Sequence, residues 1–313
     1  MELGAEDKLL ANCELCPRNC HVDRTKGQLG FCNAGYLPKV ARVATHHWEE
    51  PPISGERGSG TIFFSHCNLK CCYCQNYQIS HEGFGKEITI PELAQKFLFL
   101  QSQGAHNINL VTGACYVPQI AQAINIARAI GLAVPVIYNT SAYEKVETLQ
   151  LLEGLVNVYL PDLKYIDPEL GKTYSGAANY FAIASSAIQE MVRQCGPVKL
   201  DENGLIRSGV LVRHLILPSA TADSIRCLEW IKYNLPKDVY LSLMAQYLPL
   251  FKAKDHPPLN RRITEAEYNL VVDKAVDLGF EEGFIQDLDA ASAEFIPKFD
   301  LTGLEHATPL SLI

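Results

Sequence analysis

The sequence has no long run of Lys and Arg, no uninterrupted apolar stretch approaching a membrane span, and no low-complexity segment or short-period repeat. Each absence excludes something. A formal net charge of −8 without a basic run leaves no broad positive field, which disfavours nucleic acid as a partner. A spanning helix needs about 20 consecutive apolar residues, so no membrane partner is expected. The opening Met1-Glu2-Leu3-Gly4-Ala5-Glu6-Asp7-Lys8 lacks the basic-then-apolar order of a secretory signal, and a cytoplasmic location is expected. Cysteine is sparse in the later part of the chain. Only Cys115, Cys195 and Cys227 follow Gln75, and they read as small buried hydrophobes.

What is present is a crowd of cysteines in the first quarter of a 313-residue chain. In a chain with no signal, such a crowd argues for metal ligation, not disulfides. Cys67, Cys71 and Cys74 stand in the run Phe63-Phe64-Ser65-His66-Cys67-Asn68-Leu69-Lys70-Cys71-Cys72-Tyr73-Cys74. Three thiolates so spaced can bind three irons of one [4Fe–4S] cluster and leave the fourth iron open for chemistry. A zinc knuckle would normally close with a fourth ligand. Cys72 reads as a packed thiol. Cys13, Cys16, Cys20 and Cys32 form a second group among Gly and Pro. Four thiols can close a tetrahedral site, holding zinc or a second iron–sulfur cluster, and spacing alone does not separate the two.

Residues 1–60 therefore read as a cysteine-rich metal-binding lobe and residues 61–313 as an α/β unit with a C-terminal extension. Strands are expected at 61–64, 107–111, 134–138, 156–160, 209–217 and 239–244. Helices are expected at 90–103, 118–130, 143–153, 180–194, 221–233 and 264–278, with Thr89 as an N-cap. A surface hairpin is expected at 197–206 around Asn203-Gly204. Alternation of this kind predicts parallel strands with helical crossovers, a partial (β/α)6 TIM-type barrel whose chemistry lies at the C-terminal ends of its strands. Six units cannot close a barrel, so one side is expected to stay open and admit an extended segment of a macromolecule.

The strand ends supply candidates for a ligand pocket. They are Thr112 and Gly113, then Asn139 and Thr140, then Asp162 and Lys164, followed by Arg213 and Gln246. Charged residues inside an apolar strand, as at Arg213-His214, are costly unless paired. The segment His46-His47-Trp48-Glu49-Glu50 either lines the barrel mouth or links the two lobes.

The cysteine triple with Tyr73 before its last member resembles the signature of the radical S-adenosylmethionine (SAM) superfamily. The resemblance implies that SAM is chelated by the open iron and cleaved to methionine and a 5′-deoxyadenosyl radical, with electrons from a donor such as flavodoxin or ferredoxin. Cys13-Glu14-Leu15-Cys16-Pro17-Arg18-Asn19-Cys20, Glu49-Glu50-Pro51-Pro52-Ile53-Ser54-Gly55 and Gly283-Phe284-Ile285-Gln286 resemble a branch related to pyruvate formate-lyase activating enzyme. In that comparison Thr112 and Gly113 stand where a Gly-Gly-Glu-like turn binds the SAM amino group. Asp162-Leu163-Lys164 resembles an Asp-x-Lys pair, and Asn139-Thr140-Ser141-Ala142 stands in place of Asp-Thr-Asn-Gly. The resemblance gives Asp162 and Thr140 the SAM carboxylate region or a cation, and Lys164 SAM or a substrate carbonyl. Asn139 replaces the Asp and Ala142 replaces the Gly, which puts the cation in doubt. Lys164 and Arg213 are the catalytic candidates and Gln246 an adenine or substrate contact. The implied substrate is a protein or peptide. A radical SAM enzyme acting on a small metabolite, or a non-catalytic SAM-binding or electron-transfer protein, are the alternatives.

Overall fold

A computed structural model describes residues 5–305. Its strands are β1 (Lys39–His46), β2 (Ser59–Phe64), β3 (Lys86–Glu87), β4 (Ile108–Val111), β5 (Val136–Thr140), β6 (Val158–Pro161), β7 (Lys199–Leu200), β8 (Ile206–Leu215), β9 (Tyr240–Met244) and β10 (Gly283–Ile285). They form one sheet in the order β10-β9-β8-β6-β5-β4-β2-β1-β3, with β7 paired to β8. From β2 through β10 that path is parallel throughout. The sheet is the open, barrel-like α/β sheet expected, with a seventh parallel strand, β10, beyond the six foreseen.

The helices form where periodicity and caps agree. Ile90–Ser102 begins at a reciprocal capping box between Thr89 and Glu92, and Glu265–Asp277 at one between Thr264 and Glu267. Each box satisfies two amide donors that a helix start leaves bare. Every residue of β2, β4 and β6 is buried, as befits parallel strands covered on both faces. The expected hairpin forms, β7 pairing antiparallel with β8.

Two differences matter for function. First, β1 pairs antiparallel with β2 along its length, so Lys39–His46, within the expected lobe, extends the sheet. The following turn, Pro51–Ser54, places Ile53 against Ile137, Val158, Leu160, Ile206 and Leu211. That apolar cluster stops the inside of the curved sheet at the N-terminal ends of its strands. Asn107 ties the plug in place, its Nδ2 donating to the Ile53 carbonyl at 2.8 Å. Second, the open side is bridged. Downstream of β10 the chain crosses to β1, where Leu301 N donates to Ala41 O at 3.1 Å and Val43 N to Thr302 O at 2.9 Å. Arg42 pairs with Asp300 at 2.9 Å. Phe299 packs edge-on to Phe63 at 5.5 Å, and Phe295 meets Trp48 at 4.8 Å. The sheet itself stays open as the strand count predicts, and the strap runs between its two edges.

Candidate active site

The cysteine loop leaves β2 at its C-terminal end and folds back under several anchors. Cys72 N donates to Tyr174 O at 2.8 Å and Cys74 N to Cys71 O at 3.2 Å. His66 and Lys70 take left-handed backbone angles, with φ of 73° and 55°, which turn the chain tightly enough to bring Cys67, Cys71 and Cys74 onto one cavity. Each sulfur receives a hydrogen bond. Leu69 N donates to Cys67 Sγ at 3.4 Å, Ser175 Oγ to Cys71 Sγ at 3.1 Å, and Ser80 Oγ to Cys74 Sγ at 3.2 Å. Burial pushes the Cys74 thiol up to about 12 and Cys67 in the same direction, so ligation here must release protons. Cys72 lies outside the cavity lining.

The cavity encloses about 630 Å³. Thr112, Asn139, Thr140, Asp162, Lys164, Arg213 and Gln246 all line it, so topology gathers seven of the eight strand-end candidates around the cysteine loop. Gly113 is the exception. A Cβ there would come within 2.6 Å of Ile120 Cδ1 and 3.1 Å of Tyr138, so Gly113 serves close packing behind the strand. The positive φ falls instead on Thr112, at 64°. Ala142 likewise takes a φ of 58°, the left-handed conformation that glycine would occupy more easily.

Lys164 Nζ lies 2.6 Å from Asp162 Oδ2. Burial disfavours the ammonium, but the Asp162 carboxylate and then Cys71 more than offset this, and Lys164 is held above the usual lysine range. The Tyr180 hydroxyl fixes the same strand end, accepting from Lys164 N at 3.0 Å and lying 2.6 Å from Asp162 O. Arg213 is already committed. Its Nε donates to Glu50 Oε1 at 2.8 Å and its Nη2 to Glu49 Oε2 at 2.5 Å, an arrangement that compensates a guanidinium only 8% exposed. Glu49, His46 and Trp48 line the cavity, whereas His47 packs over Gly58. Thr140 is tied to Glu144, which also accepts from Tyr138 at 2.9 Å. Burial raises the Glu144 carboxyl to about 7.

Several contributors were illegible in sequence. Tyr73 OH contacts Tyr165 OH at 2.7 Å, Tyr165 OH contacts Ser175 Oγ at 2.7 Å, and Ser175 reaches Cys71. Ser175 stands about a hundred residues from Cys71 and carries no motif. Cys115 is buried as expected, and its carbonyl accepts from Arg24 Nη1 at 2.8 Å. Burial pushes the Cys16 thiol up to about 11, and Cys32, Cys13 and Cys20 act in the same direction.

The donor set fits an open [4Fe–4S] cluster: three thiols on one loop, each bonded by at least one donor, facing a cavity large enough for a nucleoside-sized ligand. Residues 61–194 match the family model described as the Radical SAM superfamily. The chain is 31% identical over 280 residues to the uncharacterized protein MJ0674 of Methanocaldococcus jannaschii, covering 86% of this chain and 75% of that one. Among solved structures, it is similar to a domain of pyruvate-formate lyase-activating enzyme from Bacteroides vulgatus (TM-score 0.40, 14% identity, 55% of this chain and 93% of that chain). It is also similar to methylornithine synthase (TM-score 0.47, 16% identity, 67% and 59%). The chain belongs to the radical SAM superfamily, a family of enzymes that implies a [4Fe–4S] cluster and SAM. Among the described residues no helix is long and apolar enough to cross a membrane.

Proposed function

We propose that this protein is a radical SAM enzyme in which Cys67, Cys71 and Cys74 hold the cluster and the adjoining strand ends hold SAM and substrate. The observation that carries the reading is the convergence of the three hydrogen-bonded thiols and seven strand-end side chains on one cavity. When bound, the cluster and SAM supply one-electron chemistry that removes a hydrogen atom from a substrate. The protein's own residues position and exclude. Asp162 and Lys164 offer one anion and one cation beside the cysteine loop. Asn139 and Ser141 offer polar edges at the neighbouring strand end. The strap residues Phe295 and Pro297 add apolar surface to the cavity wall. Arg213 is occupied by Glu49 and Glu50, so we assign it to holding those carboxylates in the cavity wall and not to substrate chemistry.

The bridged side changes the substrate reading. The strap residues Asp287, Asp289, Phe295 and Pro297 line the same cavity and narrow the side by which an extended segment would enter. A small molecule or a single side chain of a peptide fits this cavity better than a threaded chain. We read the amino-terminal cysteines Cys13, Cys16, Cys20 and Cys32 as a second metal centre, and a flavodoxin- or ferredoxin-type protein as the electron donor. The test is an anaerobic assay of reconstituted, dithionite-reduced protein with SAM. 5′-Deoxyadenosine should form with the wild type and with Cys72→Ala, and fall to background with Cys67→Ala, Cys71→Ala or Cys74→Ala. No product from the wild type, with its iron in place, would refute the reading.

A further inference from the structure

The tyrosine ahead of the last cysteine of the triple belongs to a line of hydroxyls that ends on a sulfur. Tyr73 OH lies 2.7 Å from Tyr165 OH, Tyr165 OH lies 2.7 Å from Ser175 Oγ, and Ser175 Oγ donates to Cys71 Sγ at 3.1 Å. All three residues are buried. Their rings pack on one another and on neighbours: Tyr73 meets Tyr165 edge-on at 6.5 Å and Tyr247 at 6.0 Å, and Tyr165 meets Tyr180 at 5.3 Å. Ser175 is also held by its backbone. It ends the helix Pro168–Ser175, which Gly176 closes with a φ of 58°. Its carbonyl accepts from Arg18 Nη2 at 3.0 Å, and the Tyr174 carbonyl before it accepts from Cys72 N at 2.8 Å. The last carbonyls of a helix have no partner within it, and here they fasten the serine to the cysteine loop.

The order of protons along this line is fixed by its end. A metal-bound cysteine is a thiolate, which only accepts. Ser175 has one hydroxyl proton and gives it to Cys71, so it must accept from Tyr165. Tyr165 has then committed its own proton and must accept from Tyr73. Tyr165 OH is 4.0 Å from Cys71 Sγ but 2.7 Å from Ser175 Oγ, so the serine is the better acceptor. Three O–H dipoles therefore run toward one sulfur, and in a buried chain each strengthens the next. Among the described residues the other two sulfurs have shorter support. Cys74 receives one hydroxyl, from Ser80 at 3.2 Å, and Cys67 one amide, from Leu69 at 3.4 Å.

We propose, resting on the radical SAM reading of this site, that Ser175, backed by Tyr165 and Tyr73, raises the reduction potential of the cluster on Cys67, Cys71 and Cys74. Reduction adds one electron to the cluster and makes its sulfurs more negative. Donors aimed at a sulfur stabilise that reduced state more than the oxidised one, which moves the potential upward. The electron comes from an external one-electron donor, a reduced flavodoxin or ferredoxin, which is oxidised by one. The hydroxyls keep their protons, and no bond forms or breaks. Ser175 acts through Cys71 and not on a substrate, so it is a positioning residue.

Redox titration of the anaerobically reconstituted protein, read by EPR without SAM, tests this apart from activity. At the wild-type midpoint potential, Ser175→Ala should lower the ratio of reduced to oxidised cluster by roughly threefold or more, a downward shift of about 28 mV at 59 mV per decade. Ser175→Thr keeps the hydroxyl and should hold that ratio close to the wild-type value. Tyr165→Phe leaves the serine in place but removes the donor behind it, and should move the midpoint in the same direction by less. An unchanged or raised midpoint in Ser175→Ala with full iron and sulfide overturns the proposal, as does a fall in Ser175→Thr equal to that in Ser175→Ala. Should Ser175→Ala fail to hold iron, Tyr165→Phe decides in its place, and an unchanged midpoint there with full iron overturns the proposal. Failure of the wild type to form 5′-deoxyadenosine, with its midpoint measurable, would instead strike the radical SAM reading and leave the comparison of midpoints standing.

Discussion

Asp162 and Lys164 face the cysteine loop from the end of β6 as a half-buried pair 2.6 Å apart. A pair this close to a ligand cavity stabilises little by itself but places both charges where a zwitterionic ligand can exchange partners with them. Asp162→Ala should weaken SAM binding by roughly tenfold, the loss of about one charge-assisted hydrogen bond. An anaerobic SAM titration reads this, and unchanged affinity in a folded variant would make the pair purely structural. Glu144 carries a pH prediction. Its carboxyl rises from 4.5 to about 7, because burial disfavours the anion more than its bonds to Thr140 and Tyr138 favour it. Between these values the folded protein keeps a proton that the unfolded chain has lost. Stability from this group therefore falls as pH rises through that window and levels off above about 7, a total of roughly 3 kcal/mol. Glu144→Gln should gain on the wild type in anaerobic melting temperature between pH 5 and pH 8. A constant difference would show that Glu144 is ionised throughout. Nothing in the sequence marks Glu144, because its neutrality comes from strands folded around it.

At the scale of elements, the helices read most clearly, since caps and periodicity are local. Thr89 was legible as an N-cap, and the structure completes it with Glu92. Thr89→Ala or Thr264→Ala should each cost about 1 kcal/mol, read as a lowered melting midpoint with unchanged metal content. The helix expected at 143–153 shrinks to Val146–Leu149 and a 3₁₀ turn at Gln150–Leu152. Its first residues are taken by the site: Tyr143 stacks on Tyr180 at 6.2 Å, and Glu144 turns back to Thr140. β1 escaped notice because its residues follow the cysteine lobe and alternate only weakly, with a bulge between Val40 and Arg42. β10 has only three residues, and its pairing with β9 is a long-range choice that no local pattern announces.

At the scale of the whole molecule, the strap between the sheet edges forms one wall of the cavity. Arg42→Ala with Phe299→Ala removes an ion pair and an aromatic contact from that strap. Limited proteolysis should then cut within residues 286–300 faster than in the wild type, with the helices resistant. Equal cleavage would mean that backbone pairing alone holds the strap. The sequence by itself determined the alternation of strands and helices, the cysteine triple at the end of β2, and the placing of candidates at strand ends, because period, caps and ligand spacing are properties of neighbouring residues. Only the tertiary structure decided that Gly113 turns away from the cavity, that Arg213 is claimed by Glu49 and Glu50, that Ser175 donates to Cys71, and that Arg24 reaches the Cys115 carbonyl. The last three contacts join residues from about 90 to more than 160 positions apart, and they exist only once the curved sheet brings separate strand ends onto one face.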